Sequence, residues 1–134
     1  MDAAVNGLEL PDDSNLIVSI HYYAPWKLTT SDHPEVTTFT SADQAELDGT
    51  FDKLYQKFVS QGIPVIIGEF GAENKKNDSD RDALYSYYIQ AAGKRGIPCF
   101  VWDNGLEMSY GIFDRENLSW YGNGLGDAVV SATK

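Results

Sequence analysis

Gly62-Ile63-Pro64-Val65-Ile66-Ile67-Gly68-Glu69-Phe70-Gly71 returns 34 residues later as Gly96-Ile97-Pro98-Cys99-Phe100-Val101-Trp102-Asp103-Asn104-Gly105. Each copy reads as a helix stop, a strand and a loop that opens on an acid, because glycine holds the left-handed conformation that ends a helix. The runs Val65-Ile66-Ile67 and Cys99-Phe100-Val101 are continuously apolar rather than alternating. That is the pattern of parallel strands covered on both faces. Leu16-Ile17-Val18-Ser19-Ile20 is a third run of the same kind.

Helices fit between these runs. Leu47, Phe51, Leu54, Tyr55 and Phe58 share one helical face, with Ser41 and Gln44 as a capping box and Gly62 as the stop. Ser79 with Asp82 offers a similar start to a second helix, whose buried stripe is Leu84, Tyr85, Tyr88 and Ala92 and whose stop is Gly96. Strands are therefore expected near 16–21, 63–69 and 97–103, with helices near 42–60 and 80–95 packed on one side. Strands that alternate with helices make βαβ units in a parallel sheet. The repeat length is also near the pitch of a (β/α)8 barrel, in which ~250 residues make eight units. The expected fold is α/β, a partial (β/α)8 TIM barrel holding roughly its last three β/α units, as a single unit over 1–134. Residues 106–134 read as irregular, with a weak helical stretch near Leu125, Val129 and Val130.

Composition narrows the function. Among 134 residues, 20 acidic side chains face 10 basic ones, for a net charge of -10, and no basic cluster offsets it. Such a surface repels phosphodiester backbones, which argues against a nucleic-acid partner. No stretch approaches the roughly 20 apolar residues of a membrane span. Met1-Asp2-Ala3-Ala4 lacks the segments of a signal peptide. Cys99 is alone, which excludes an internal disulfide and a cysteine-based zinc site. Asp78, Asp80 and Asp82 are not followed by the glycine and distal glutamate of a calcium loop, and a helix N-terminal role suits them better. With no phosphate-cradling loop, nucleophile elbow or paired-histidine motif, no cofactor or metal is expected.

In parallel sheets, chemistry gathers where strands end and side chains leave the packed layer. The three ends supply His21, Tyr22 and Tyr23, then Glu69, then Trp102, Asp103 and Asn104. Aromatics beside polar groups suit sugars, whose C–H faces stack while their hydroxyls hydrogen-bond. A carboxylate directly after an apolar strand is costly unless it is paired or functional, which singles out Glu69 over a surface-loop acid. His21 reads equally as a core histidine, Trp102 as packing, and Asp103 as the anchor of the loop that follows it. His33, in a polar loop, reads as solvent-facing.

Three segments together carry a resemblance. Ile17-Val18-Ser19-Ile20-His21-Tyr22-Tyr23-Ala24-Pro25-Trp26, Gly62 through Gly71, and Gly96-Ile97-Pro98-Cys99 leading into Trp102-Asp103-Asn104-Gly105 resemble the last three strands of a glycoside hydrolase family 5 endoglucanase. Tyr110-Gly111-Ile112-Phe113-Asp114-Arg115 with Trp120 is similar to that family's closing loop. The resemblance implies a (β/α)8 barrel, secretion, and cleavage of β-1,4-linked glucans with retention of configuration. It implies that Glu69 is the catalytic nucleophile of strand seven. His21 and Tyr23 resemble the His-x-Tyr pair of strand six, with the tyrosine hydroxyl near the nucleophile, and Trp102 resembles the tryptophan on which the cleaved sugar stacks. Trp26 and Asn104 complete the expected substrate-binding set.

The chain departs from the family in two respects: the arginine and histidine that the family supplies from its earlier strands are missing, and so is its second carboxyl group. Retaining hydrolysis needs two carboxyl groups about 5 Å apart. The family's second one follows an asparagine at the end of strand four, and here only Glu73-Asn74 and Glu116-Asn117 come near that pair, in reversed order. The expectation is therefore the C-terminal part of a barrel, beginning near the loop before strand six, with Glu107 or Glu73 as candidate substitute acids. Three parallel strands leave two unpaired edges, so a homo-oligomer or a complex with a complementing N-terminal barrel fragment is expected. A non-catalytic carbohydrate-binding or scaffold fragment is the alternative. A flavodoxin-like module is disfavoured, because it needs about five strands and a phosphate-binding first loop.

Overall fold

The computed structural model describes residues 2–122 and 124–134. Met1, on which the reading of the N-terminus partly rests, lies outside the described residues. Three strands, β1 (Val18–His21), β2 (Val65–Phe70) and β3 (Cys99–Val101), form one parallel sheet in the order β1-β2-β3. Helix α3 (Ser41–Lys57) crosses from β1 to β2, and α4 (Asp78–Gly93) from β2 to β3. Short elements complete the chain: α1 (Asp2–Gly7), the single turn α2 (Trp26–Thr29), a hairpin of β4 (Phe113–Asp114) and β5 (Ser119–Trp120), and α5 (Leu125–Ser131). The three strands and two long helices fall where the sequence pattern puts them, and α5 covers the weak helical stretch.

The two Gly-Ile-Pro segments match down to their hydrogen bonds. Gly62 and Gly96 sit at φ +81° and +72°. Ile63 N donates to Phe58 O and Ile97 N to Ala92 O, both at 3.1 Å. Each glycine thus takes the positive φ that an L side chain resists, and the residue after it closes the helix end.

The helix starts differ from expectation. In α3 the capping box is Thr40 with Asp43, not Ser41 with Gln44: Asp43 N donates to the Thr40 hydroxyl, and the Asp43 carboxylate accepts from Thr40 N at 2.7 Å. A charged acceptor on a short stem binds that amide better than a glutamine does. In α4 the start is Asn77, with no side-chain cap, rather than Ser79. Asp80 instead accepts from Phe39 N at 2.7 Å, in the segment that leads into α3.

The core lies between the sheet and the two helices. Leu47, Phe51, Leu54, Ile67, Leu84, Tyr85 and Tyr88 are buried, and the rings of Phe70 and Tyr88 stack 4.2 Å apart. Tyr55 belongs to the expected stripe by spacing but is exposed, and Thr50 takes a place on the buried face, hydrogen-bonded to the Tyr22 hydroxyl at 2.9 Å. Nor is the sheet covered on both faces. Val65 and Ile67 are buried and Ile66 is half-buried, while Phe100 is 56% and Ile17 63% exposed. Alternate side chains of a strand point to opposite faces, and both helices pack on the same one.

Candidate active site

Glu69, near the end of β2, stands in register with His21, the last residue of β1. The register shifts by one residue between Ile20 and His21, and beyond the shift Tyr22 N donates to Glu69 O at 3.0 Å. A bulge of this kind re-aims the side chains that follow it. Gly68 makes the approach possible. A Cβ there would lie 2.6 Å from Ser19 Oγ and 3.2 Å from the His21 ring, so only a glycine lets the imidazole rest across β2.

Two side chains then converge on the carboxylate. The Tyr23 hydroxyl donates to Glu69 Oε2 at 2.9 Å, and His21 Nδ1 lies 3.3 Å from the same oxygen. Among the described residues Oε1 takes no hydrogen bond, and the Glu69 side chain is 28% exposed. Partial burial of Tyr23, followed by the hydrogen bond to Glu69 and its charge, pushes the phenol well above the ordinary tyrosine range. Tyr23 therefore stays a donor at any working pH. Behind it the Tyr110 ring meets it edge-on at 5.6 Å. That contact had no signal in the pattern, because Tyr110 falls in a segment without periodicity.

The other candidates divide. Trp102 is held through its backbone, its N–H donating to Phe70 O at 2.8 Å, while its side chain is 44% exposed. Trp26, which opens α2, is 57% exposed. Both indoles are open to a ligand, and among the described residues neither hydrogen-bonds to Glu69. The Asn104 amide is engaged in its own loop, donating to Ser109 Oγ at 3.0 Å and accepting from Leu106 N at 3.1 Å. Asp103 acts as a loop anchor. Its Oδ1 accepts from Gly105 N and Ile112 N, and its Oδ2 accepts from Arg115 at 2.8 Å. His33 is not simply solvent-facing, since Nδ1 pairs with Glu35 at 3.2 Å and the ring is partly covered.

Among the described residues no second carboxylate hydrogen-bonds to Glu69, His21 or Tyr23. Glu73 has Oε2 buried with no partner, and Glu107 is exposed. A cleft of about 870 Å³ lies beside the site and is not lined by Glu69. It runs beside the free edge of β1 against α3, lined by His21, Tyr23, Trp26, Glu46, Thr50 and Lys53 among others. His21 and Tyr23 belong to both places. The Glu69 carboxylate is chemically distinctive because a tyrosine hydroxyl and an imidazole converge on one of its oxygens. Burial pushes the Cys99 thiol up to about 12, which leaves it unreactive. No group of three or more His, Cys, Asp or Glu among the described residues is arranged to hold a metal ion. No described helix is long and apolar enough to cross a membrane.

An acid gripped by a tyrosine and a histidine at the C-terminal ends of parallel strands places the chain in a class: α/β proteins whose distinctive side chains gather where the strands end. The family model described as Cellulase (glycosyl hydrolase family 5) matches residues 1–107, and the chain belongs to that family. It is 40% identical to Endoglucanase A of Clostridium longisporum over 97% of this chain and 26% of that protein. It is 42% identical to Endoglucanase B of Neocallimastix patriciarum, over 87% of this chain and 26% of that one. Among solved structures it is similar to a GH5-4 broad specificity endoglucanase from Clostridium cellulovorans, with TM-score 0.93 and 37% identity over 100% of this chain and 41% of that one. It is also similar to a Ruminococcus champanellensis endoglucanase with bound cellotriose, with TM-score 0.81 and 33% identity over 99% and 39% of the two chains. The chain thus spans about a quarter of the length of these curated relatives.

Proposed function

We propose that this chain carries the nucleophile side of a retaining β-1,4-glucanase site, with Glu69 as the nucleophile and His21, Tyr23, Trp26, Trp102 and Asn104 as its sugar-binding residues. The observation that supports it best is the convergence of the Tyr23 hydroxyl and His21 Nδ1 on Glu69 Oε2. A carboxylate held through one oxygen has its other oxygen turned to a substrate. That oxygen attacks the anomeric carbon, the bond to the leaving oxygen breaks, and a glycosyl ester forms on Glu69. Water then releases the sugar with its configuration retained.

An unactivated glycan also needs a proton on the leaving oxygen, and we assign that acid to the strand-four position of the family, outside this chain's residues. The three βα units then count as the last three of a barrel, on a single unit over 1–134. The open face at Ile17 and Phe100 favours a homo-oligomer or a complementing N-terminal portion as its cover. The partner is a β-glucan polysaccharide or oligosaccharide, which implies that the protein works outside the cell.

The test is intact-mass spectrometry after incubation with a dinitrophenyl 2-deoxy-2-fluoro-β-cellobioside, whose leaving group departs without protonation. The expected outcome is one glycosyl adduct mapped to Glu69 and none on Glu69→Gln. A second reading, a binding fragment without catalysis, is favoured by the two open indoles and by the lack, among the described residues, of a carboxylate partnered with Glu69. Glucan binding without any adduct would put that reading first.

A further inference from the structure

The segment Gly71 to Asn77, which follows β2, ties down the loop that carries Trp26. The ammonium of Lys75 donates to three backbone carbonyls of that loop: Lys27 O at 2.7 Å, His33 O at 2.7 Å and Val36 O at 3.1 Å. An ammonium has three N–H donors, and here each has a carbonyl. Two further bonds join the same two segments, and a third joins the loop to the first turn of α4. Glu73 N donates to Thr29 O at 3.0 Å, Asn77 Nδ2 to Thr37 O at 2.7 Å, and Phe39 N to Asp80 Oδ1 at 2.7 Å.

The loop needs an outside tie. Its only regular structure is α2, a single turn of four residues with no side-chain cap, and one turn does not hold itself in water. Carbonyls aimed inward from such a loop are costly to leave unpaired. Burial lowers the proton affinity of Lys75 against the opposing charges of Glu35 and Glu73. The cation therefore sits partly out of water, where each carbonyl contact is stronger than at the surface. Lys27, one of the three acceptor positions, is the neighbour of Trp26 in the chain.

We propose that Lys75 is the positioning residue of the Trp26 loop, its ammonium gathering the carbonyls of Lys27, His33 and Val36 so that the indole stands ready as a platform for a β-linked glucose ring. This rests on the proposed function in reading Trp26 as a sugar platform. Lys75 touches no substrate and acts through the loop. Without it the loop must be ordered on each binding event, and freezing one loop segment and one large side chain costs about fivefold or more in affinity.

The experiment compares wild type, Lys75→Met and Lys75→Ala, the last with and without n-propylammonium, which replaces the atoms removed. Hydrogen exchange of residues 27–36 reports the loop. Cellotriose titration, followed on the Trp26 indole NMR signal assigned by its loss in Trp26→Phe, reports the platform. Both variants should exchange faster in the loop and bind cellotriose about fivefold or more weakly. Propylammonium should restore both readouts in Lys75→Ala and change neither in Lys75→Met, a rescue that general destabilisation would not show. Unchanged loop exchange, or no rescue in Lys75→Ala, would overturn the tie. Faster exchange with unchanged cellotriose affinity would overturn its link to the platform. A wild-type chain that binds no cellotriose would overturn the sugar-platform reading itself, while the exchange arm still judged Lys75.

Discussion

Tyr23 and Glu69, 46 residues apart in the chain, are joined by one hydrogen bond of 2.9 Å from the phenol to Oε2. It links the residues that follow β1 to the end of β2 and fixes which carboxylate oxygen is left free. Because burial and the neighbouring carboxylate hold the phenol protonated, Tyr23 remains the donor in that bond.

Tyr23→Phe should keep the fold and slow labelling of Glu69 by an activated 2-fluoro glycoside. A hydrogen bond to a charged group is worth about 1.5–3 kcal/mol, so the expected loss is about tenfold to a hundredfold. Labelling at the wild-type rate would show that Tyr23 does not orient the Glu69 carboxylate.

Alkaline pH should unfold the protein through its tyrosines. Tyr23, Tyr85 and Tyr88 are all raised, in each case first by burial. Their phenols titrate later in the folded chain than in the unfolded one. Below about pH 10, the unfolded value, their contribution is complete, and it falls as pH climbs towards the folded values. Thermal melts followed from neutral pH upward should show Tm dropping beyond that point, and Tyr23→Phe should drop less steeply. A parallel decline in the variant would remove Tyr23 from the account.

Gly68→Ala should damage the site more than the sheet. The added methyl would meet Ser19 Oγ at 2.6 Å and the His21 ring at 3.2 Å. Relieving such overpacking costs about 1–3 kcal/mol and moves the imidazole away from Glu69. Labelling should fall about tenfold or more. Adding Ser19→Ala removes the nearer atom, and the double variant should recover part of the loss. No recovery would mean that His21 is not displaced through that contact.

Asp103→Ala should separate anchoring from chemistry. The carboxylate holds Gly105 N, Ile112 N and Arg115, so its loss leaves two loop amides without their acceptor and should cost about 1–3 kcal/mol of stability. Denaturant titration checks that figure. Labelling of Glu69, scored at a temperature where the variant is folded, should stay close to wild type. A collapse of labelling would assign Asp103 to the reaction.

The sequence by itself determined the two Gly-Ile-Pro helix stops, the three parallel strands, the two crossover helices and the strand-end positions of His21, Tyr23, Glu69 and Trp102. All of these follow from local periodicity and from residues with special backbone preferences, which neighbours in the chain decide. Tertiary structure decided the rest. The choice of Thr40 over Ser41 as cap turned on the Asp43 carboxylate, rather than Gln44, turning back to the amide, and Asp80 was drawn away from its own helix by Phe39 N. The pattern marked Val65 to Ile67 and Cys99 to Val101 alike as covered on both faces, yet helices pack on one face only, and Phe100 is left open. The meeting of Tyr23 with Glu69, the edge-on Tyr110 and the three carbonyls around Lys75 depend on strand register, on a one-residue shift after Ile20 and on loops that cross between elements. Period and propensity act over a few residues, whereas such contacts join side chains tens of residues apart, and only the packed chain specifies their distances.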